Sequence, residues 1–276
     1  MLKKILLALD GSENSEKAIP WVKRVAAQET AQVVLLRVVP SARKVPARGV
    51  DREEARDYLL RMEKELNYAG VPTKVMVRRG RAPREIVDAA REEGCDLILM
   101  ATRGESTIQR WALGGVTEQV LRLSTIPVLP VRSQLSMPRQ GHVSRVIVPV
   151  DGSTLAEAPL WWSARLARLL KAKLIFLHVY PNGAERKCGW DRKSFDALQR
   201  RLTQFCRALS GYGVKASFRL QRGDAAARII NYADEHDLIL TTTHGFGGIK
   251  RLVFGSVAEK LIHEARVPVL VYKAPA

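Results

Sequence analysis

The stretch Thr241-Thr242-Thr243-His244-Gly245-Phe246-Gly247-Gly248-Ile249-Lys250-Arg251-Leu252-Val253-Phe254-Gly255-Ser256-Val257 is made of residue types that hold anions. Glycines let backbone N–H groups come close to a phosphate oxygen. Gly255-Ser256 opens a helical pattern running through Val257, Leu261 and Ile262. A helix start presents unpaired N–H groups and the positive end of the dipole. Ser256 adds a hydroxyl, and His244, Lys250 and Arg251 add donors or positive charge. The chemistry implied is a phosphate cradle. Nucleophilic catalysis fits poorly, because no motif places a Ser or Cys with His244.

Two further segments carry polar groups at the ends of apolar runs: Val150-Asp151-Gly152-Ser153 and His178-Val179-Tyr180-Pro181. In open parallel sheets, ligands bind beyond the carboxyl ends of the strands, where strand order reverses. Both segments are therefore expected beside the glycine loop. Each residue also has a plainer reading. Asp10, Asp151 and Ser256 can cap the helices that follow. The glycines can mark a loop and nothing more. His178 is expected to pack or hydrogen-bond at a strand end.

The elements that must position these residues occur twice. Asp10-Gly11-Ser12 returns as Asp151-Gly152-Ser153, and Asp96-Leu97-Ile98-Leu99 as Asp237-Leu238-Ile239-Leu240, 141 residues on. Gly104 and Gly245, Gly114 and Gly255, and Pro127 and Pro268 share that offset. Such a repeat means two copies of one domain. Within the first copy, apolar β-branched or Leu-rich runs at 5–9, 33–39, 73–77, 97–101 and 128–131 read as strands buried on both faces. Helical patterns at 53–69 and 83–93 separate them, the first stopped by Gly70 and the second opened by Pro83. In the second copy, Phe195, Leu198, Leu202, Phe205 and Leu209 repeat the apolar stripe, and Gly211 follows it. Alternating strands and helices predict α/β architecture: two tandem three-layer α/β/α sandwiches, each with a five-stranded, mostly parallel sheet. The expected boundaries are 1–132 and 143–276. Residues 133–142, with Pro and Gly and no apolar period, form the linker.

The chain has 276 residues and a formal charge of +17, with 24 basic and 17 acidic residues in 1–140 and 21 and 11 in 141–276. A basic surface spread over both halves can attract nucleic acid, anionic lipid or phosphorylated small molecules. Along the sequence, aromatic residues are not interleaved with the charges as single-strand platforms require, which favours a merely solvated surface. The three cysteines, Cys95, Cys188 and Cys206, form no C-x-x-C pair, so neither a disulfide framework nor a zinc site is expected. Cys95 and Cys206 read as core residues. Trp161-Trp162 should turn one ring to the sheet and one to the surface or an interface. No apolar run reaches bilayer-spanning length. The N-terminal apolar run is too short for a signal peptide, so a cytoplasmic location is expected.

The D-G-S strand end, the D-L-I-L strand and the G-S helix start, in this order, resemble the universal stress protein family over nearly the whole chain, as two tandem copies. That family's fingerprint is G-x-x-G, nine residues, then G-S or G-T, and its ATP-binding members hold phosphates with it. The resemblance implies an adenine nucleotide alpha hydrolase-like fold. It also implies a site for ATP, with Mg²⁺, in the second copy at Val150, Asp151, Val179, Thr241, Thr242, Gly245, Gly255, Ser256 and Val257. Thr242 stands at the first glycine and narrows the site; Gly245 and Gly255-Ser256 match. In the first copy Ala101 replaces the first glycine, Gly115 replaces the hydroxyl residue, and Glu105 puts a carboxylate where phosphate would lie, so that copy reads as degenerate. The function implied is a stress-response sensor or regulator with at most weak ATP hydrolysis, since no general base, metal cluster or Walker-type lysine is evident. The family commonly pairs through its last strand, here 127–131 and 268–271, so an internal pseudo-dimer is expected and a homodimer is open. The alternative function is a nucleotide-free scaffold that binds another anionic partner, lipid or nucleic acid, through the basic surface.

Overall fold

A computed structural model describes residues 2–29, 31–41, 51–102, 114–132, 143–151, 157–180, 192–242 and 255–273. The chain divides into two compact units, Met1–Gly141 and His142–Ala276.

Unit 1 runs β1 (Lys4–Ala8), α1 (Glu13–Glu16), α2 (Ile19–Glu29), β2 (Gln32–Val39), α3 (Arg52–Tyr68), β3 (Thr73–Arg79), α4 (Ala82–Glu92), β4 (Leu97–Ala101), α5 (Gly115–Leu123) and β5 (Val128–Val131). The strands pair in parallel in the order β3-β2-β1-β4-β5. Unit 2 repeats this with β6 (Arg145–Val150), α6 (Glu157–Leu170), β7 (Lys173–Tyr180), α7 (Arg192–Gly211), β8 (Ala216–Arg222), α8 (Ala225–Tyr232), β9 (Asp237–Thr242), α9 (Ser256–Glu264) and β10 (Val269–Tyr272). Its parallel order is β8-β7-β6-β9-β10. The predicted α/β class and parallel sheets are present.

Burial follows position in the sheet. The interior strand β4 is buried at every residue, whereas β3, at the end of its order, is half exposed. Helix α3 buries Ala55, Tyr58, Leu59 and Leu66, the stripe its period implies. It ends where Gly70 turns left-handed at φ +75°, and Val71 N–H bonds back to the Leu66 carbonyl. In unit 2 the turn is made by Gly213, at φ +74°, with Val214 bonding back to Leu209. Gly211, which follows the apolar stripe in sequence, is the last residue of α7. The sheet fixes this outcome: Val214, like Val71, must be buried to start the next strand.

The aspartate of each D-L-I-L segment fastens the amino end of its sheet. Asp96 accepts from the Lys3 N–H at 2.6 Å and the Lys4 N–H at 3.2 Å. Asp237, 1 % exposed, forms a two-pronged pair with the Arg145 guanidinium, with Nε to Oδ1 at 2.7 Å. Arg145 also lies over the Tyr232 ring at 5.3 Å. The carboxylate raises the Arg145 pKa by hydrogen bonding. Cys95 is buried as expected, its thiol pushed up to about 12 by desolvation, and is inert at neutral pH. Cys206 is half-buried, and its thiol is also raised by burial. Cys188 lies outside the described residues.

Candidate functional site

In unit 2 the strand order reverses between β6 and β9. Their registered pairing runs from Arg145↔Asp237 to Ile147↔Ile239 and stops there, although β6 continues to Val150 and β9 to Thr242. Pro149 supplies a reason, since it has no N–H to give to a ladder. On their outer sides the strands stay paired to their ends, at Val150↔His178 and Thr242↔Tyr272. Unit 1 has Ala8 at the position of Pro149, and there β1 and β4 pair from Ile5↔Leu97 through Ala8↔Met100. The second copy is thus unzipped earlier at the carboxyl end of its switch point.

Five of the predicted residues, Val150, Asp151, Val179, Thr241 and Thr242, fall at or near the carboxyl ends of these strands. Val150 closes β6 nearly buried, and Asp151 follows it exposed. Val179 is half-buried near the end of β7. Thr241 is buried near the end of β9, and Thr242, its last residue, is half-buried. His178 ties two of these ends together: its Nδ1 donates to the Val150 carbonyl at 2.7 Å from a side chain only 2 % exposed. Burial lowers the His178 pKa, against smaller opposing effects from the Val150 carbonyl and Asp151. The ring is therefore neutral at pH 7 and acts as a strut, as the sequence reading expected of it.

Helix α9 opens with the remaining described candidates, Gly255, Ser256 and Val257. Gly255 is its N-cap, in extended conformation at φ −61° and ψ 147°, and no side chain caps it. Ser256 is therefore the first helical residue, not the capping residue its type allowed. Gly255 and Ser256 are exposed and Val257 is half-buried, while Ala258, Leu261 and Ile262 anchor the helix inward. Among the described residues, then, the N-cap gives the first-turn amides no side-chain acceptor. Gly245, with His244, Lys250 and Arg251, lies outside the described residues.

The same places in unit 1 are filled differently, and the sequence did not disclose how. Arg37 stands at the offset of His178. It is 8 % exposed, with its guanidinium 4.9 Å from the Tyr58 ring centre. It packs so close to Gly11 that a Cβ there would meet Arg37 at 2.6 Å. Burial, then Glu16, raises the Tyr58 pKa. Asp10 closes a local turn, accepting from Ser12 N–H at 2.9 Å and Ser12 Oγ at 2.6 Å. Thr117 Oγ1, near the start of α5, donates to the Ala101 carbonyl at 3.0 Å; unit 2 has Ala258 at that position. Gly114 caps α5, also without a side-chain bond, and its N–H reaches the Thr102 carbonyl at 2.8 Å. Among the described residues no group of His, Cys, Asp and Glu could hold a metal ion, and no helix is long and apolar enough to cross a membrane.

Comparison with known proteins adds ancestry to this geometry. The sequence model of the universal stress protein family matches residues 1–132 and again 142–273. A universal stress protein of Mycolicibacterium smegmatis is 24% identical over 98% of this chain and 96% of its own length. One from Methanocaldococcus jannaschii is 31% identical over 49% of this chain and 98% of its own length. Among solved structures, a universal stress protein from Archaeoglobus fulgidus superposes with a TM-score of 0.78 at 23% identity, covering 99% of both chains.

Proposed function

This chain belongs to the universal stress protein family, carrying two copies of its domain in tandem, and from that premise we propose that the second copy binds an adenine nucleotide, ATP with Mg²⁺. In this reading the protein is a cytoplasmic sensor or regulator of the stress response rather than an enzyme with strong turnover. Val150, Asp151 and Val179 would hold the nucleoside. Thr241, Thr242, Gly245 and the α9 start at Gly255, Ser256 and Val257 would hold the phosphates.

One observation carries the proposal. The exposed first turn of α9 has no side-chain cap, and it belongs to the unit whose strand ends part early beside Pro149. Backbone donors at a helix start, together with the dipole, suit a polyphosphate. The donor set fits the ligand: amides and a hydroxyl for oxygens, and the exposed Asp151 carboxylate for a sugar hydroxyl. Mg²⁺ would supply charge neutralisation on the phosphates. The first copy is read as degenerate, because Arg37 packs into its strand-end region and its sequence has a carboxylate, Glu105, directly after Gly104.

Isothermal titration with ATP and Mg²⁺ tests this. One equivalent should bind per chain. Ser256→Ala should weaken binding about tenfold by removing one charge-assisted hydrogen bond, and Gly245→Val should weaken it further. Phosphate release should stay at the level of the Ser256→Ala control. No saturable heat at millimolar ATP removes the nucleotide reading.

A further inference from the structure

The strongest feature outside that site is on the α6–α7 side of unit 2. A chain of aromatic rings leads from the core to solvent there. Phe176, fully buried on β7, meets Phe205 of α7 at 5.4 Å between ring centres. Phe205 meets Trp161 of α6 edge-on at 6.0 Å. Trp161 meets Tyr212, just past the end of α7, at 5.1 Å and 83°. Trp161 is 39 % exposed and Tyr212 is 59 % exposed. An edge-to-face pair seated on a buried ring is held rigidly, and its partial exposure leaves aromatic surface facing water.

Arginines share the helix faces that carry these rings. Arg165 and Arg168 follow Trp161 at i+4 and i+7, and Arg201 precedes Phe205 at i−4; all three are exposed. Helix α7 carries five basic residues against a single aspartate, Asp196. The first copy keeps an arginine, Arg24, at the offset of Arg165 but not the rings. The turns at Gly70 and Gly213 align α3 with α7 at an offset of 143, two more than the rest of the repeat. Trp161, Phe205 and Tyr212 then correspond to Pro20, Met62 and Ala69. Helix α3 has four basic and five acidic residues. Its seam with α2 carries the Lys23–Glu65 ion pair at 2.7 Å, where unit 2 has Ala164 and Ala208.

We propose that the α6–α7 face of the second copy binds single-stranded nucleic acid, with bases stacking on Trp161 and Tyr212 and phosphates held by Arg165, Arg168 and Arg201. Exposed rings among cations are what an unpaired strand requires, because every base has a stacking face and every linkage a negative charge. Folding brings Trp161 and Tyr212, 51 residues apart, into one cluster. A membrane surface or an acidic peptide would answer to the same charge, but would not need the rings to be fixed edge-to-face.

Fluorescence anisotropy of the full chain with labelled twelve-nucleotide oligouridine and oligothymidine tests the proposal. Saturable binding is expected, falling about tenfold or more between 50 and 200 mM salt. Trp161→Ala and Tyr212→Ala should each weaken it about tenfold, with unchanged circular dichroism. Tyr212→Ala removes a largely exposed ring, so it keeps the test valid should Trp161→Ala misfold. Saturating ATP should leave binding unchanged, which separates this face from the nucleotide site. Four results overturn the proposal: variants that bind like the parent; a duplex that binds as tightly as the single strand; anionic phospholipid vesicles captured while oligonucleotides are not; or a dimer that Tyr212→Ala dissociates, which would make the face a contact between copies of the chain.

Discussion

His178 donates a hydrogen bond to the Val150 carbonyl, and burial holds its pKa below the ordinary histidine value. The unfolded chain takes up this proton near pH 6.5, about the reference value, while the native state resists it. The stabilisation is complete above that pH and is lost as pH falls below it toward the lower folded value. Urea midpoints should therefore fall between pH 7 and pH 5.5, and His178→Gln should flatten that slope. Gly11 makes a second prediction at this scale. Its φ of +92° strains any side chain, and Arg37 fills the space a Cβ would take. Gly11→Ala should cost about 1–3 kcal/mol, more than Gly70→Ala, where a Cβ would meet nothing within 4 Å. Chemical denaturation of both variants checks the order. The sequence reading placed Asp151 and not Asp10 at the nucleotide, and in unit 1 the Asp10 carboxylate is committed to Ser12.

Helix α9 and strands β6 and β9 carry the argument at the level of elements. The start of α9 was legible because glycine before a serine and an apolar period marks a helix opening without any tertiary information. The cap at Gly255 rather than Ser256 was not, since both residue types suit the position. The strands are fastened at one end by Arg145 and Asp237 and part at the other beside Pro149. Asp237→Ala would strand the part-buried Arg145 charge and should destabilise by about 3 kcal/mol. Thermal melts should show this, and Arg145→Met with Asp237→Leu should recover much of the loss. Pro149→Ala, which restores a backbone donor, should lengthen the β6–β9 ladder and slow amide exchange at its carboxyl end.

Across the chain, two copies of one fold have diverged in charge, in packing and at the ends of their strands. The comparison predicts one nucleotide per chain rather than two. Arg37→His, which places the second copy's residue in the first, should leave that stoichiometry at one, because Thr117, Gly115 and Glu105 still differ there. Equilibrium dialysis counts the sites. The residue excess of +10 in the second half over +7 in the first understates the contrast, which is concentrated between α3 and α7.

Local order was written in the sequence by itself: the repeat, the parallel α/β class, the helix openings and the family. Each depends on spacing along the chain, on periodicity or on the backbone freedom of glycine and proline. Tertiary structure alone decided the His178–Val150 strut, the Arg37–Gly11–Tyr58 packing, the shortened ladder and the Trp161–Tyr212 cluster. Each of these joins residues from different elements, and their contact follows from how side chains share space once the sheet has formed. Hydrophobic burial specifies that a residue is inside but not which neighbour it meets.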